Sequence, residues 1–151
     1  MTEFKIGADP EIFLTKKGKA YSAHGVIPGT KKEPYPVHNG AIQVDGMAVE
    51  FNVEPVVLNP KGFEVFNEKV TSVLGQMKAK VKEFDNNLSF NISSVQDFPE
   101  QLLKDQPEEA KELGCDPDYC AYTLEVNPRP DGEVLFRTAS GHIHIGWGAD
   151  G

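Results

Sequence analysis

The stretch from Asn59 to Phe84 does most to limit what this chain can become. Asn59 is a favourable N-cap, and Pro60 suits the first helical position, where its missing N–H costs nothing. Phe63, Phe66, Val70, Val73, Leu74, Met77, Val81 and Phe84 then recur at steps of three and four. Lys78, Lys80 and Lys82 crowd the last turns, where they complement the helix dipole, and Asp85-Asn86-Asn87 stops the run. The spacing predicts one long amphipathic helix whose stripe is a core face rather than a cofactor-binding box. Such a stripe needs a broad apolar partner, and the short alternating stretches around it point to a sheet.

Three of those stretches set metal-ligand chemistry against an apolar face. Phe4 to Thr15 is expected to be one strand, with Asp9, Glu11 and Phe13 on one side and Ala8, Pro10, Ile12 and Leu14 on the other. Pro10 has no N–H to give a ladder, so the strand is an edge, a bulge, or paired on one side only at that point. Ala41 to Asp45 and Met47 to Val53 read as two strands joined through Gly46. In the second, Ala48, Glu50, Asn52 and Glu54 oppose Met47, Val49, Phe51 and Val53. The closing stretch runs from Leu135 to Trp147, and its strand, Ser140 to Trp147, alternates Ser140, His142 and His144 with Ile143, Ile145 and Trp147. Imidazoles two residues apart on a strand sit about 7 Å apart at their bases, which suits one metal ion or a metal and a phosphate. A pair of hydrogen-bonded sheet histidines is the plainer reading of an isolated H-x-H.

The remaining segments are turn-rich. Lys16-Lys17-Gly18-Lys19 is a turn into a short return strand at Ala20 to Ala23. His24 to His38 reads as a loop around Pro28-Gly29-Thr30-Lys31-Lys32, which either cradles an anion or is a plain turn, since it lacks Walker spacing. Leu88 to Val95 is a further strand candidate, and Pro99 to Leu113 holds one or two short helices. Asn127 to Gly132, with two prolines, is a loop.

The 151 residues, 39% hydrophobic, suit a single domain over 1–151. A net charge of −8 with no basic stripe argues against nucleic acid, unless metal ions mediate. No apolar run approaches the ~20 residues that span a bilayer, and the first residues lack a signal-peptide pattern. Cys115 and Cys120 make a weak zinc signal and read better as free thiols in a reducing cytoplasm.

If the three polar faces are neighbours, Asp9, Glu11, Glu50, Asn52, His142 and His144 converge on one side of a sheet while the helix covers the other. Closely spaced carboxylates raise one another's pKa unless cations intervene. Mg²⁺ or Mn²⁺ suits so oxygen-rich a set, with imidazole better tolerated by Mn²⁺. Such ions can hold a nucleoside triphosphate and neutralise a transferring phosphoryl group. The alternatives are an ordinary antiparallel sheet with one solvated face, and a metal-dependent hydrolase in which H-x-H and carboxylates activate water.

At these residues the chain resembles the carboxylate–amine ligases of the glutamine synthetase and glutamate–cysteine ligase superfamily, above all the phage-type amidoligases (COOH-NH2 ligase type 2). Gly7-Ala8-Asp9-Pro10-Glu11-Ile12-Phe13-Leu14 is similar to the Gly-Pro-Glu-Pro-Glu-Phe-Phe-Leu strand of glutamine synthetase, with Asp9 in place of its first metal-binding Glu. Gln43 to Asn52 resembles the following strand pair, which supplies another acidic ligand, and Gly141-His142-Ile143-His144 resembles the Gly-x-His-x-His strand. Pro28-Gly29-Thr30-Lys31 and Gly114-Cys115-Asp116-Pro117-Asp118 look like signatures of the type 2 family.

The resemblance implies an α+β fold: a mainly antiparallel sheet, one long helix packed on one face, and a metal and ATP site on the other. It implies Asp9, Glu11, Glu50 and His142 as metal ligands, and His144, Lys31 and Asn52 as nucleotide contacts. His144 and Arg137 would stabilise phosphate charge. The implied reaction is ATP-dependent amide formation between a small-molecule or peptide carboxylate and an amine, in the cytoplasm of the cell or phage host. Family members continue beyond the His-x-His strand with a further acid and arginines, whereas the arginines here are Arg129 and Arg137. The chain is therefore expected to be the N-terminal part of a longer enzyme, to be completed by a second chain, or to be a metal-binding remnant or assembly module.

Overall fold

A computed structural model describes residues 3–111, 119–128 and 134–147. The Gly114 to Asp118 signature, with Cys115, and Arg129 lie outside the described residues. The fold is α+β, and every strand pair among the described residues is antiparallel.

The helix α1 (Pro60–Phe84) forms as its capping signals dictate. The Asn59 side chain accepts a hydrogen bond from the Gly62 N–H at 2.8 Å. At the other end the Lys82 ammonium donates to the carbonyls of Asn86 and Leu88. Val73, Met77 and Val81 are fully buried against Ile12, Leu14, Ile42, Val49, Phe51 and Val53. Phe66, Val70 and Leu74 flank them, whereas Phe63 and Phe84, expected in the stripe, are about half exposed. Periodicity alone does not show that the two end positions of the stripe stay exposed.

The main sheet contains β3 (Lys19–Tyr21), β2 (Glu11–Lys16), β6 (Ala48–Val53), β5 (Gly40–Asp45) and β4 (Tyr35–Val37) in that order, with β8 (Leu88–Asn91) also on β2. The β5–β6 hairpin turns at Gly46, whose φ of +56° is cheap only for glycine. Gly29, at φ +91°, lets the preceding loop lie against β5, because a Cβ there would collide with the Ile42 carbonyl. That loop was expected to run unbroken to His38, but β4 forms within it.

One predicted strand is split in two, and another is shortened. The single strand expected from Phe4 to Thr15 breaks at Asp9-Pro10 into β1 (Phe4–Ala8) and β2, and these lie in different sheets. β1 sits between β7 (Val56–Val57) and β11 (Ile143–Trp147). The strand expected from Ser140 to Trp147 begins only at Ile143 as β11, and β10 (Phe136–Thr138), paired with β9 (Val95–Asp97), precedes it. The apolar side of β11 does not enter a core: Ile143, Ile145 and Trp147 are all more than half exposed.

The sheet face opposite α1 is only partly polar. Phe13 and Ala48 are buried there with Met47, Phe98, Leu103, Ala110 and Ala139, supplied in part by α2 (Glu100–Lys104) and α3 (Glu108–Lys111). The rings of Phe13 and Phe98 meet edge to face at 5.8 Å. No helix among the described residues is long and apolar enough to cross a membrane.

The two ends of the α1 stripe and its middle should respond differently to truncation. Met77→Ala is expected to cost about 2–5 kcal/mol and Phe84→Ala under about 1 kcal/mol, as measured by urea denaturation.

Candidate metal centre

The register of three strands places the acids. Glu11 on β2 lies directly opposite Glu50 on β6, and Glu50 lies directly opposite Gln43 on β5. Asp45, two residues beyond Gln43, shares its face. One ligand atom from each of Glu11, Asp45 and Glu50 lies within 4.8 Å of the other two. Oxygens so close suit the 2.0–2.6 Å ligand distances of Mg²⁺, Mn²⁺ or Ca²⁺. Asp45 was not among the predicted ligands. Its signal was present in the i, i+2 pairing of Gln43 with Asp45 and in the hairpin that folds both back beside Glu50.

A second group is set by the crossing at Pro10. The Asp9 N–H donates to the His142 carbonyl at 3.2 Å, and the Glu11 N–H to the Ser140 carbonyl at 2.8 Å. Pro10 interrupts the ladder between them without ending it, and its own carbonyl accepts from the Phe51 N–H. Asp9 and His142 therefore face each other, with His142 Nδ1 3.6 Å from Asp9 Oδ1. His144 lies opposite Gly7, and its Nε2 sits 3.1 Å from each Asp9 carboxylate oxygen. The two imidazole centroids are 6.4 Å apart. Ser140 ties this group to the first, since its backbone N–H donates to Glu11 Oε2 at 2.9 Å.

Burial makes these acids expensive as anions. The Glu50 carboxyl, in a residue only 8% exposed, is pushed up to about 7 by desolvation. Asp45, Glu11 and Asp9 push it further in the same direction, against a lowering by the Gln43 amide, which donates to Glu50 Oε2 at 2.7 Å. Glu11 is raised too, by desolvation first; the Ser140 N–H, His142 and Lys31 oppose this. The Gln43 amide oxygen is buried with no hydrogen-bond partner. An oxygen-rich, partly desolvated cluster of this kind fits a hydrated divalent cation.

The other predicted contacts divide. Lys31 Nζ reaches Asp45 Oδ2 at 3.1 Å, so the loop does deliver a cation to the acids. Asn52 lines a cleft of about 230 Å³ together with Asp9 and His144. Arg137 is 4% exposed and donates to the carbonyls of Val134, Phe136 and Lys111, which pins the β9–β10 ribbon. Cys120 carries a free thiol. No protein-family model, no curated protein and no solved structure matches this chain.

The Glu50 shift has a definite sign. From its ordinary value of 4.5 up to about 7, the native carboxyl holds a proton that the unfolded chain has released. Metal-free stability therefore falls as pH rises through that window. Glu50→Gln should stabilise the metal-free protein at pH 8 by about 1–2 kcal/mol after discounting for solvent screening, or roughly 3–6 °C. The gain should vanish near pH 4.5. Thermal melts across this range check it; a gain of the same size at both ends would contradict the assignment.

Proposed function

We propose that this chain carries the metal-binding part of an ATP-dependent carboxylate–amine ligase with a glutamine synthetase-like catalytic sheet. The observation that carries this reading is the meeting of two ligand groups on adjoining strands. Glu11, Asp45 and Glu50 make an all-oxygen set, and Asp9, His142 and His144 add a mixed oxygen and nitrogen set beside it. Two neighbouring sets suit a polyanion held through more than one divalent ion.

In this reading, Glu11, Asp45 and Glu50 hold one Mg²⁺ or Mn²⁺, and Asp9 with His142 a second. Bound ions would neutralise charge on the triphosphate and on the phosphoryl group in transfer. His144 faces the phosphates, with Asp9 orienting its ring through Nε2. Lys31 exchanges Asp45 for phosphate when an ion takes its place, and Asn52 lines the adjoining cleft. The substrates supply both reacting groups: a carboxylate attacks the γ-phosphate, and an amine then displaces phosphate from the acyl-phosphate. The protein contributes position and electrostatics rather than a nucleophile.

A second reading, a metal-binding module of the same fold without catalysis, is favoured by one observation. Arg137, the described arginine, donates hydrogen bonds to the backbone carbonyls of Val134, Phe136 and Lys111. A further chain or segment would then supply the phosphate-binding arginines.

Mn²⁺ should raise the melting temperature of the wild-type chain, because an ion bound only by the native state stabilises it by mass action. Glu11→Gln and His142→Ala should each remove most of that rise, and retention of the full rise in both would end the metal assignment. Carboxylate-dependent ADP formation with hydroxylamine as the amine separates the two readings. Turnover supports the ligase, whereas ion binding without turnover supports the module. Phosphate release without any amine would point to a hydrolase.

A further inference from the structure

The cleft beside the histidines has a feature that the metal chemistry does not use. β1 and β11 run antiparallel, with Lys5 opposite Gly146 and Gly7 opposite His144. Two glycines thus occupy diagonal corners of a four-residue patch, and the floor between Lys5 and His144 is bare backbone. Val53 and Pro55 wall one side, and Asp9 with His144 closes one end. Lys5 lines the cleft and is half-buried, yet it has no hydrogen bond or ion pair among the described residues. Lys16, Lys69, Lys80 and Lys111 each hold a carboxylate by contrast. In a chain of net charge −8, an ammonium with no carboxylate partner among the described residues, set beside a bare floor, suits an anion.

We infer that this cleft binds a small ligand with an anionic end on Lys5 and a slender or flat body lying over Gly7 and Gly146 towards the Asp9–His144 pair. Four residue steps separate Lys5 from Asp9, about 13 Å along β1 and its extension. The anion on Lys5 is therefore not the group that meets the ions at Glu11, Asp45 and Glu50. It is a second charge on the same ligand or belongs to a separate one. A cleft of about 230 Å³ limits the occupant to amino-acid or short-chain size. The site stands whether or not the ligase reading does, because it needs no ion.

The test uses the full chain, free of metal, and follows the amide resonances of Gly7 and Gly146. Glutarate and inorganic phosphate are the anionic probes, and glutaramide is the neutral control. Saturable shifts are expected with at least one anion and none with glutaramide. Tighter binding of glutarate assigns a carboxylate to Lys5, and tighter binding of phosphate assigns a phosphoryl group. Lys5→Gln should weaken the binding about tenfold or more, the loss of one charge-assisted contact. Gly7→Ala should block it while leaving the fold intact, since the new Cβ stands on the cleft floor at ordinary distances of 3.8 Å from the Val53 carbonyl oxygen and 4.0 Å from Pro55 Cγ. Glu11→Gln should bind the anion as wild type does, even where Mn²⁺ binding is lost. Failure of both anions to saturate, equal shifts with glutaramide, or undiminished binding by Lys5→Gln would overturn the proposal.

Discussion

Two backbone hydrogen bonds decide the geometry of the polar face: Asp9 N–H to the His142 carbonyl and Glu11 N–H to the Ser140 carbonyl. Between them lies Pro10, which cannot donate, and there the chain leaves one sheet and enters another. Without this crossing, Asp9 and Glu11 would be same-face neighbours, two residues apart, on one ordinary strand. With it, Asp9 joins the ribbon that carries the imidazoles, and Glu11 joins the hairpin that carries Glu50. The proline thus divides a run of acids between two sheets while keeping their side chains within reach of one another.

The same placement creates an electrostatic debt in the metal-free protein. Glu50 is buried among Asp45, Glu11 and Asp9, and the neutralising groups around it are few. Gln43 donates one hydrogen bond, Lys31 reaches Asp45, and the Ser140 N–H reaches Glu11. These contacts position the carboxylates more than they stabilise them, since desolvation still dominates both Glu11 and Glu50. A divalent cation is the simplest way to hold such a set ionised at neutral pH.

Much of this was legible from local pattern. The helix limits followed from Asn59-Pro60 and Asp85, because caps are local chemistry. The β5–β6 hairpin followed from alternation around Gly46. Features set by non-local pairing were not legible. Alternation continues smoothly through Asp9-Pro10-Glu11, so only the partners of β1 and β2 reveal the break. Asp45 becomes a candidate ligand only once the register puts Gln43 opposite Glu50. Phe13 shares the polar face by parity yet is buried against Phe98, because a second cluster, partly from α2 and α3, covers that part of the face. Ile143, Ile145 and Trp147 alternate as a core strand would, but β11 lies at a sheet edge and leaves them exposed. Arg137, chosen for its charge, turned out to be held by carbonyls of its own ribbon.

The central claim is that acids from β2, β5 and β6 and imidazoles on and beside β11 form one cation-binding surface. Paramagnetic broadening by substoichiometric Mn²⁺ tests it most directly, read on the side-chain and amide resonances of the full chain. Saturable broadening that covers Glu11, Asp45 and Glu50 together with Asp9, His142 and His144 is the expected result. Broadening confined to other acidic surface residues, or spread without saturation over the whole chain, would contradict it.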